Sequence, residues 1–119
     1  MKKILYIEDN KDTAEAVKLI LTNAGFETET AYSGKEGIKQ IKKGFDVILL
    51  DIMLPDMSGW DIFAKLKNMG VKAKFAFLSA IPVSSERVEE LKEAGIADYI
   101  TKPFTKEDLI EKVKKMIEK

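Results

Sequence analysis

The sequence predicts an α/β fold: a doubly wound parallel sheet of five strands, with five helices over its two faces. Three observations lead there. Short apolar runs alternate along the chain with longer segments whose apolar residues recur at helical spacing. Gly25, Gly44, Gly70 and Gly95 each close a helical segment and each precede an apolar residue (Phe26, Phe45, Val71, Ile96), the pattern of a left-handed helix stop followed by a hydrophobic contact. Val47, Ile48, Leu49 and Leu50 run without a polar interruption, as strands covered on both faces do. Strict alternation of strand and helix favours a parallel sheet joined by right-handed crossovers.

The elements follow in order. "KILYI" is the first strand. The first helix opens at Asp12, with Glu15 at capping-box spacing, and turns Ala14, Val17, Ile20, Leu21 and Ala24 to one side. "ETETAY" is the second strand; its Glu and Thr residues suit a sheet edge. Ser33 with Glu36 opens the second helix, which Gly44 ends. "DVILL" is the third strand, and Ser58 with Asp61 opens the third helix. "KFAFL" is the fourth strand, and the helix after it stops at Gly95. "DYIT" is the fifth strand. Thr105 with Asp108 opens the last helix, whose apolar face is Leu109, Ile110, Val113 and Ile117. The Lys/Glu run from Thr105 to Lys119 reads as the solvated face of that helix. The pattern holds no linker or repeat, so residues 1–119 read as one domain.

Composition narrows the function. The 119 residues suffice for one core, and the chain is 45% hydrophobic and 34% charged with a formal net charge of zero. Arg87 is the single arginine among the basic residues, which argues against a nucleic-acid surface. No apolar run approaches a membrane span, and "MKKILYIEDN" turns acidic too early for a signal peptide, so a cytoplasmic location is expected. Cys and His are both absent. Thiol chemistry, disulfides and phosphohistidine on this chain are excluded, and the work must fall to carboxylates, hydroxyls, Lys and the backbone.

Ligand sites of open α/β sheets lie at the C-terminal ends of the strands. This sequence puts Glu8 and Asp9 after the first strand, Asp51 after the third, Ser79 at the end of the fourth and Lys102 after the fifth. If the strands take the flavodoxin-like order 2-1-3-4-5, these residues lie on neighbouring strands, about 4.8 Å apart. Three carboxylates carry three negative charges; Lys102 and one divalent cation would balance them. Oxygen ligands with retained waters suit Mg²⁺ better than zinc. Beside such an ion Asp51 is an ionised nucleophile fit to attack phosphorus, while Ser79 and Lys102 stabilise the transferring phosphoryl oxygens.

The chain resembles the receiver domains of two-component response regulators over essentially its whole length, and is close in size to the single-domain chemotaxis type. The resemblance rests on "YIEDN", "LLDIMLPDMSGW", "LSA" and "DYITKPF", four motifs in order, each at a strand end. It implies that Asp51 is the phosphoacceptor. It implies Asp9 as direct metal ligand, Glu8 acting directly or through water, and the Met53 backbone carbonyl as the third protein ligand. Ser79, Tyr99 and Lys102 match the switch and phosphate-binding residues, with Ala80 and Pro103 in support. The Lys102–Pro103 bond is expected to be cis. The partners implied are a histidine kinase or phosphotransfer protein and a downstream protein target, without nucleic acid or membrane. The chain is expected to be a monomer, with dimerisation on phosphorylation left open. It would be no enzyme beyond catalysing its own phosphoryl transfer and dephosphorylation. Because the sequence stops soon after the fifth helix, no output domain is expected, and the product of phosphorylation would be a changed surface on the fourth helix, fifth strand and fifth helix, including Arg87, Tyr99 and Lys106.

Each of these residues alone has a plainer reading. Asp51 alone is a turn residue or cap, Lys102 a surface lysine and Tyr99 half-buried packing. Pro55 and Gly59 shape the loop after Asp51, while Trp60 and Met57 read as packing. Only the constellation raises the carboxylates to a site. An aspartyl-nucleophile phosphatase would want a second Asp two residues after the first, where this chain has Met53. A nucleotide-binding module would want a glycine-rich phosphate loop, and the loop after the first strand is acidic instead. A scaffold that is never phosphorylated would not need the full set of acids, Ser79 and Lys102.

Overall fold

A computed structural model describes residues 2–118. Met1 and Lys119, the two ends of the domain read from the sequence, lie outside the described residues. The strands are β1 (Lys3–Ile7), β2 (Glu27–Ala31), β3 (Val47–Leu50), β4 (Lys74–Ser79) and β5 (Ile96–Thr101). The helices are α1 (Lys11–Asn23), α2 (Gly34–Gln40), α3 (Gly59–Asn68), α4 (Ser85–Glu93) and α5 (Lys106–Glu118), with a 3-10 turn at Ile41–Lys43. The strands form one sheet in the order β2-β1-β3-β4-β5, and every pair is parallel. The fold is the doubly wound, flavodoxin-like α/β architecture that the sequence predicts.

Apolar alternation fills both faces. Ile4 and Tyr6 of β1, Val47 and Leu49 of β3 and Leu78 of β4 pack with Val17 and Leu21 of α1 and with Leu109 and Val113 of α5. Leu5 and Ile7, Ile48 and Leu50, and Phe75 and Phe77 point the other way, onto Ile62 and Leu66 of α3 and Leu91 of α4. Successive strand residues face opposite sides, so a strand buried on both faces has to be apolar throughout, and β3 is fully buried. Burying a side chain of this kind stabilises the fold by about 1.5–3 kcal/mol.

The helix ends are set locally. All four stop glycines have positive φ, which side chains other than Gly adopt only with strain. At α1 the Phe26 N–H reaches the Leu21 carbonyl, and at α3 the Val71 N–H reaches that of Leu66, closing the terminal carbonyls in the expected way. Ser33, Ser58 and Thr105 accept from the N–H groups of Glu36, Asp61 and Asp108. The first helix differs from the sequence reading. Asn10, not Asp12, is its cap, accepting from the Thr13 N–H at 3.0 Å. Glu15 instead takes a hydrogen bond from the Tyr32 hydroxyl. Asn10 holds the extended backbone a cap requires, which leaves Asp12 inside the first turn, where its charge faces the positive helix end.

The fifth strand is longer than "DYIT" suggests, because it begins at Ile96. Its pairing with β4 shifts register between Phe75 and Ala76, so that Phe75 faces Ile96 while Ala76 faces Asp98. The extra residue reverses the side-chain alternation beyond it. Tyr99 therefore lies on the same side as Phe77, over the α3–α4 layer.

Candidate functional site

The strand ends converge as the topology requires. Asp51 follows β3 directly, and its N–H still donates to the Ile7 carbonyl at 3.1 Å, so the sheet fixes its backbone. Glu8 follows β1 and is anchored by its N–H on the Ala31 carbonyl. The Lys102 N–H donates to the Ser79 carbonyl at 2.8 Å, and the Lys102–Pro103 bond is cis. Behind Asp51 the chain turns tightly into α3. The Gly59 N–H meets the Ile52 carbonyl at 2.7 Å, and a Cβ on Gly59 would lie 2.5 Å from the Asp51 carbonyl oxygen. Only glycine lets α3 start this close to the loop.

The carboxylates of Glu8, Asp9 and Asp51 gather with one oxygen of each within 4.8 Å of the others. Glu8 is buried, at 2% exposure, whereas Asp9 opens to solvent. Lys102 bridges the group: its ammonium lies 2.5 Å from Glu8 Oε1 and 3.3 Å from Asp51 Oδ2. Glu8 also accepts from the Tyr6 hydroxyl on Oε1 and from the Asn10 N–H on Oε2. Asp51 accepts from the Met53 N–H on Oδ1. A set of hard carboxylate oxygens that reaches solvent through Asp9 fits a hydrated Mg²⁺ and offers nothing to a metal that prefers sulfur or imidazole.

The three acids divide the charge unequally. Burial and the neighbouring Glu8 push the Asp51 carboxyl above the usual aspartate range, against the Met53 N–H and Lys102. Desolvation and Glu8 raise Asp9 as well. Burial also works against ionised Glu8, but the hydrogen bonds from Lys102 and the Asn10 N–H outweigh it and hold Glu8 below the ordinary range. Burial and the adjacent Glu8 charge raise the Tyr6 hydroxyl strongly, so it stays a donor. Glu8 is thus the most stabilised anion of the trio, and Asp9 and Asp51 are the two whose charge a cation would favour most.

Ser79 is buried, and its hydroxyl accepts from the Ile81 N–H at 3.2 Å. The Ile81 carbonyl in turn accepts from the Tyr99 hydroxyl at 2.5 Å. One residue, Ile81, therefore links the two switch candidates through its N–H and its carbonyl, which sit in successive peptide groups. The ring of Tyr99 is already turned in, at 6% exposure, and packs 6.3 Å from Phe77. The inward seat of Tyr99 and the Ser79–Ile81 bond occur together. Ala80 and Pro103 are exposed beside the site. Met53 and Ile81 flank it at 68% and 39% exposure. Trp60 packs as read, 4.6 Å from Phe77, with the Arg87 guanidinium over its outer side.

The sequence reading passed over three residues. Tyr6 and Asn10 complete the bonding of Glu8; Tyr6 stands two residues earlier on the same strand path, a spacing that places it on the same side. Asp56, from the loop after Asp51, accepts from the N–H groups of Gly34 and Lys35 at 2.9 Å each. That contact joins positions far apart in sequence, and no local pattern announces it.

Comparison with known proteins bears on all of this. The response regulator receiver domain family matches residues 4–114. The transcriptional regulatory protein CusR of Escherichia coli is 38% identical over 116 residues, covering 97% of this chain and 51% of its own. The transcriptional regulatory protein DltR of Streptococcus agalactiae is 34% identical over 113 residues, 94% of this chain and 50% of its own. The chain thus spans about half the length of the curated relatives it matches. Among solved structures, the receiver domain of Francisella response regulator 1452 superposes with a TM-score of 0.89 at 31% identity, covering 99% of this chain and 98% of that one.

Proposed function

This chain belongs to the response regulator receiver domain family of two-component signalling, and from that premise we propose that it is a switch set by phosphorylation of Asp51. Lys102 is the observation that carries the reading, since one ammonium spans the buried Glu8 and the half-buried Asp51 at the mouth of the acidic group. A structural ion pair needs one carboxylate. Here one lysine serves two, within a cluster of three, at the strand ends where α/β folds bind ligands.

In the proposed reaction an Asp51 carboxylate oxygen attacks phosphorus. The new acyl phosphate bond forms as the bond from phosphorus to the donor breaks, and the donor leaves with the electron pair. This chain has no His, so the donor is a phosphohistidine of a partner kinase or a small acyl phosphate. Asp9 and Asp51, with the Met53 carbonyl, would hold Mg²⁺, and Glu8, whose own oxygens are engaged, would lend its charge from beside the ion. The bound ion would supply positive charge to the phosphoryl oxygens. Lys102 would add its ammonium and Ser79 its hydroxyl. As Ser79 turns toward the phosphoryl group it releases the Ile81 N–H, and the Ile81 backbone, whose carbonyl anchors Tyr99, is freed to shift. The consequence is a change in population, reaching as far as the phosphoryl group favours one arrangement over the other.

Incubation with Mg²⁺ and acetyl phosphate tests the reading. One phosphoryl mass should be gained, and Asp51→Asn should abolish the gain with the fold intact. Full labelling of that variant would sink the assignment. Tight zinc binding without a response to Mg²⁺ would refute the metal assignment.

A further inference from the structure

Tyr6 is fully buried in the α1–α5 side of the core, where a phenylalanine would fill the same space. Its hydroxyl donates to Glu8 Oε1 at 3.0 Å, the same oxygen that receives the Lys102 ammonium. Oε2 of Glu8 is taken by the Asn10 N–H. At 2% exposure Glu8 has little access to water as a substitute donor. Lys102 stands nearer to Glu8 than to Asp51. A close contact to a phosphoryl group on Asp51 would draw the ammonium away from Glu8 Oε1. An acceptor left bare in a buried place is costly, and a charged one more so. The Tyr6 ring is fixed by the core, so its hydroxyl stays where it is.

From this geometry we propose that Tyr6 is a positioning residue for the switch: its hydroxyl keeps a donor on Glu8 Oε1 when Lys102 leaves that oxygen for the phosphoryl group. The inference rests on the phosphorylation reading above and adds to it the element that makes the lysine transferable. Without the hydroxyl, Glu8 holds Lys102 as its single donor on that oxygen, and the move toward Asp51 strips it.

The test is Tyr6→Phe, which keeps the ring. Labelling by acetyl phosphate at saturating Mg²⁺ should slow by about tenfold, while the Mg²⁺ dissociation constant, from amide shifts in a titration without donor, stays within twofold. A variant labelled at the wild-type rate would overturn the proposal. So would a tenfold loss of Mg²⁺ affinity, which would put Tyr6 at the ion rather than at the lysine. In a Glu8→Gln background the buried charge is gone, so adding Tyr6→Phe should change labelling by less than twofold; multiplication of the two effects would mark Tyr6 as merely structural. A measurement on the unaltered protein covers the case of a variant that does not fold. The Tyr6 hydroxyl proton should remain protected from exchange when fluoroberyllate occupies the site, and its loss there would overturn the proposal. Failure of the wild-type chain to label at all would instead refute the phosphorylation reading itself.

Discussion

Asp51 is held in conflict until a cation arrives. Its folded carboxyl titrates above the ordinary aspartate value because burial and Glu8 disfavour the charge. A raised carboxyl contributes stability that is complete below the unfolded value and is lost as pH rises through the folded one. At neutral pH, without metal, ionised Asp51 therefore works against the fold. Asp51→Asn is expected to raise the melting temperature of Mg²⁺-free protein by a few degrees; a lowered one would show that Lys102 attracts more than Glu8 repels. Met53 and Ile81 govern a different property. Hydrolysis of an acyl phosphate needs a water held in line, and neither side chain can orient one. Both are exposed, so they can be exchanged without disturbing the core. Met53→Asn with Ile81→Glu should shorten the phosphoryl lifetime by about a hundredfold, the lower end of the range one positioned general base supplies. An unchanged lifetime in a chase after donor removal would reject that role. Residue identities and their places at strand ends were legible in the sequence. The Tyr6–Glu8–Lys102 sharing was not, because it joins β1 to the loop after β5.

At the scale of elements, the loop after Asp51 is tied to α2 by Asp56. Its carboxylate receives two N–H groups from the first turn, and these bonds hold its pKa below the usual aspartate range. Asp56 therefore stabilises the fold above the unfolded aspartate value, and that contribution disappears as pH falls through the lower folded one. Asp56→Ala should cost about 1 kcal/mol, near the middle of the range for helix caps, lowering the melting temperature by roughly 4–6 °C. The deficit should shrink in acid; equal deficits at neutral pH and below the folded pKa would show that packing, not the cap, is responsible. Most element ends were legible because glycine stops and hydroxyl caps act through their own neighbours, as at Gly25, Gly70, Ser33 and Ser58. The start of α1 was misread because Asn10 and Asp12 are both competent caps and Glu15 is claimed by Tyr32.

Across the whole molecule the site reaches the surface by a short path, from Ser79 through the Ile81 N–H and carbonyl to Tyr99. Arg87 on α4 lies over Trp60, which packs on Phe77, and Phe77 neighbours Tyr99. A shift of the Ile81 backbone should therefore register on α4, β5 and α5. Amide shifts on phosphorylation are expected to include Arg87, Tyr99 and Lys106; shifts that spare this surface would refute the route. Metal should be felt by the whole fold as well. A ligand that binds only the native state at a hundredfold excess over its dissociation constant adds about 2.7 kcal/mol. Mg²⁺ should raise the melting temperature of the wild type and not that of Asp9→Ala. An equal rise in both would remove Asp9 from the ion site.

The sequence by itself determined the alternation of strands and helices, the ends of most elements and the residue types at the strand ends, because each depends on side chains within a few positions of one another. It also determined the chemistry open to the chain, since lack of His and Cys leaves carboxylates, hydroxyls, lysines and the backbone to do the work. Tertiary structure alone decided which side Tyr99 faces, because the register shift opposite Phe75 arises from pairing between β4 and β5 rather than from either strand's own pattern. It decided, too, that Glu8 is the settled anion and Asp51 the strained one. Both are acids at strand ends. What separates them is the number of donors that the packed sheet and helices bring to each: three for Glu8, and for Asp51 one N–H and a distant share of Lys102.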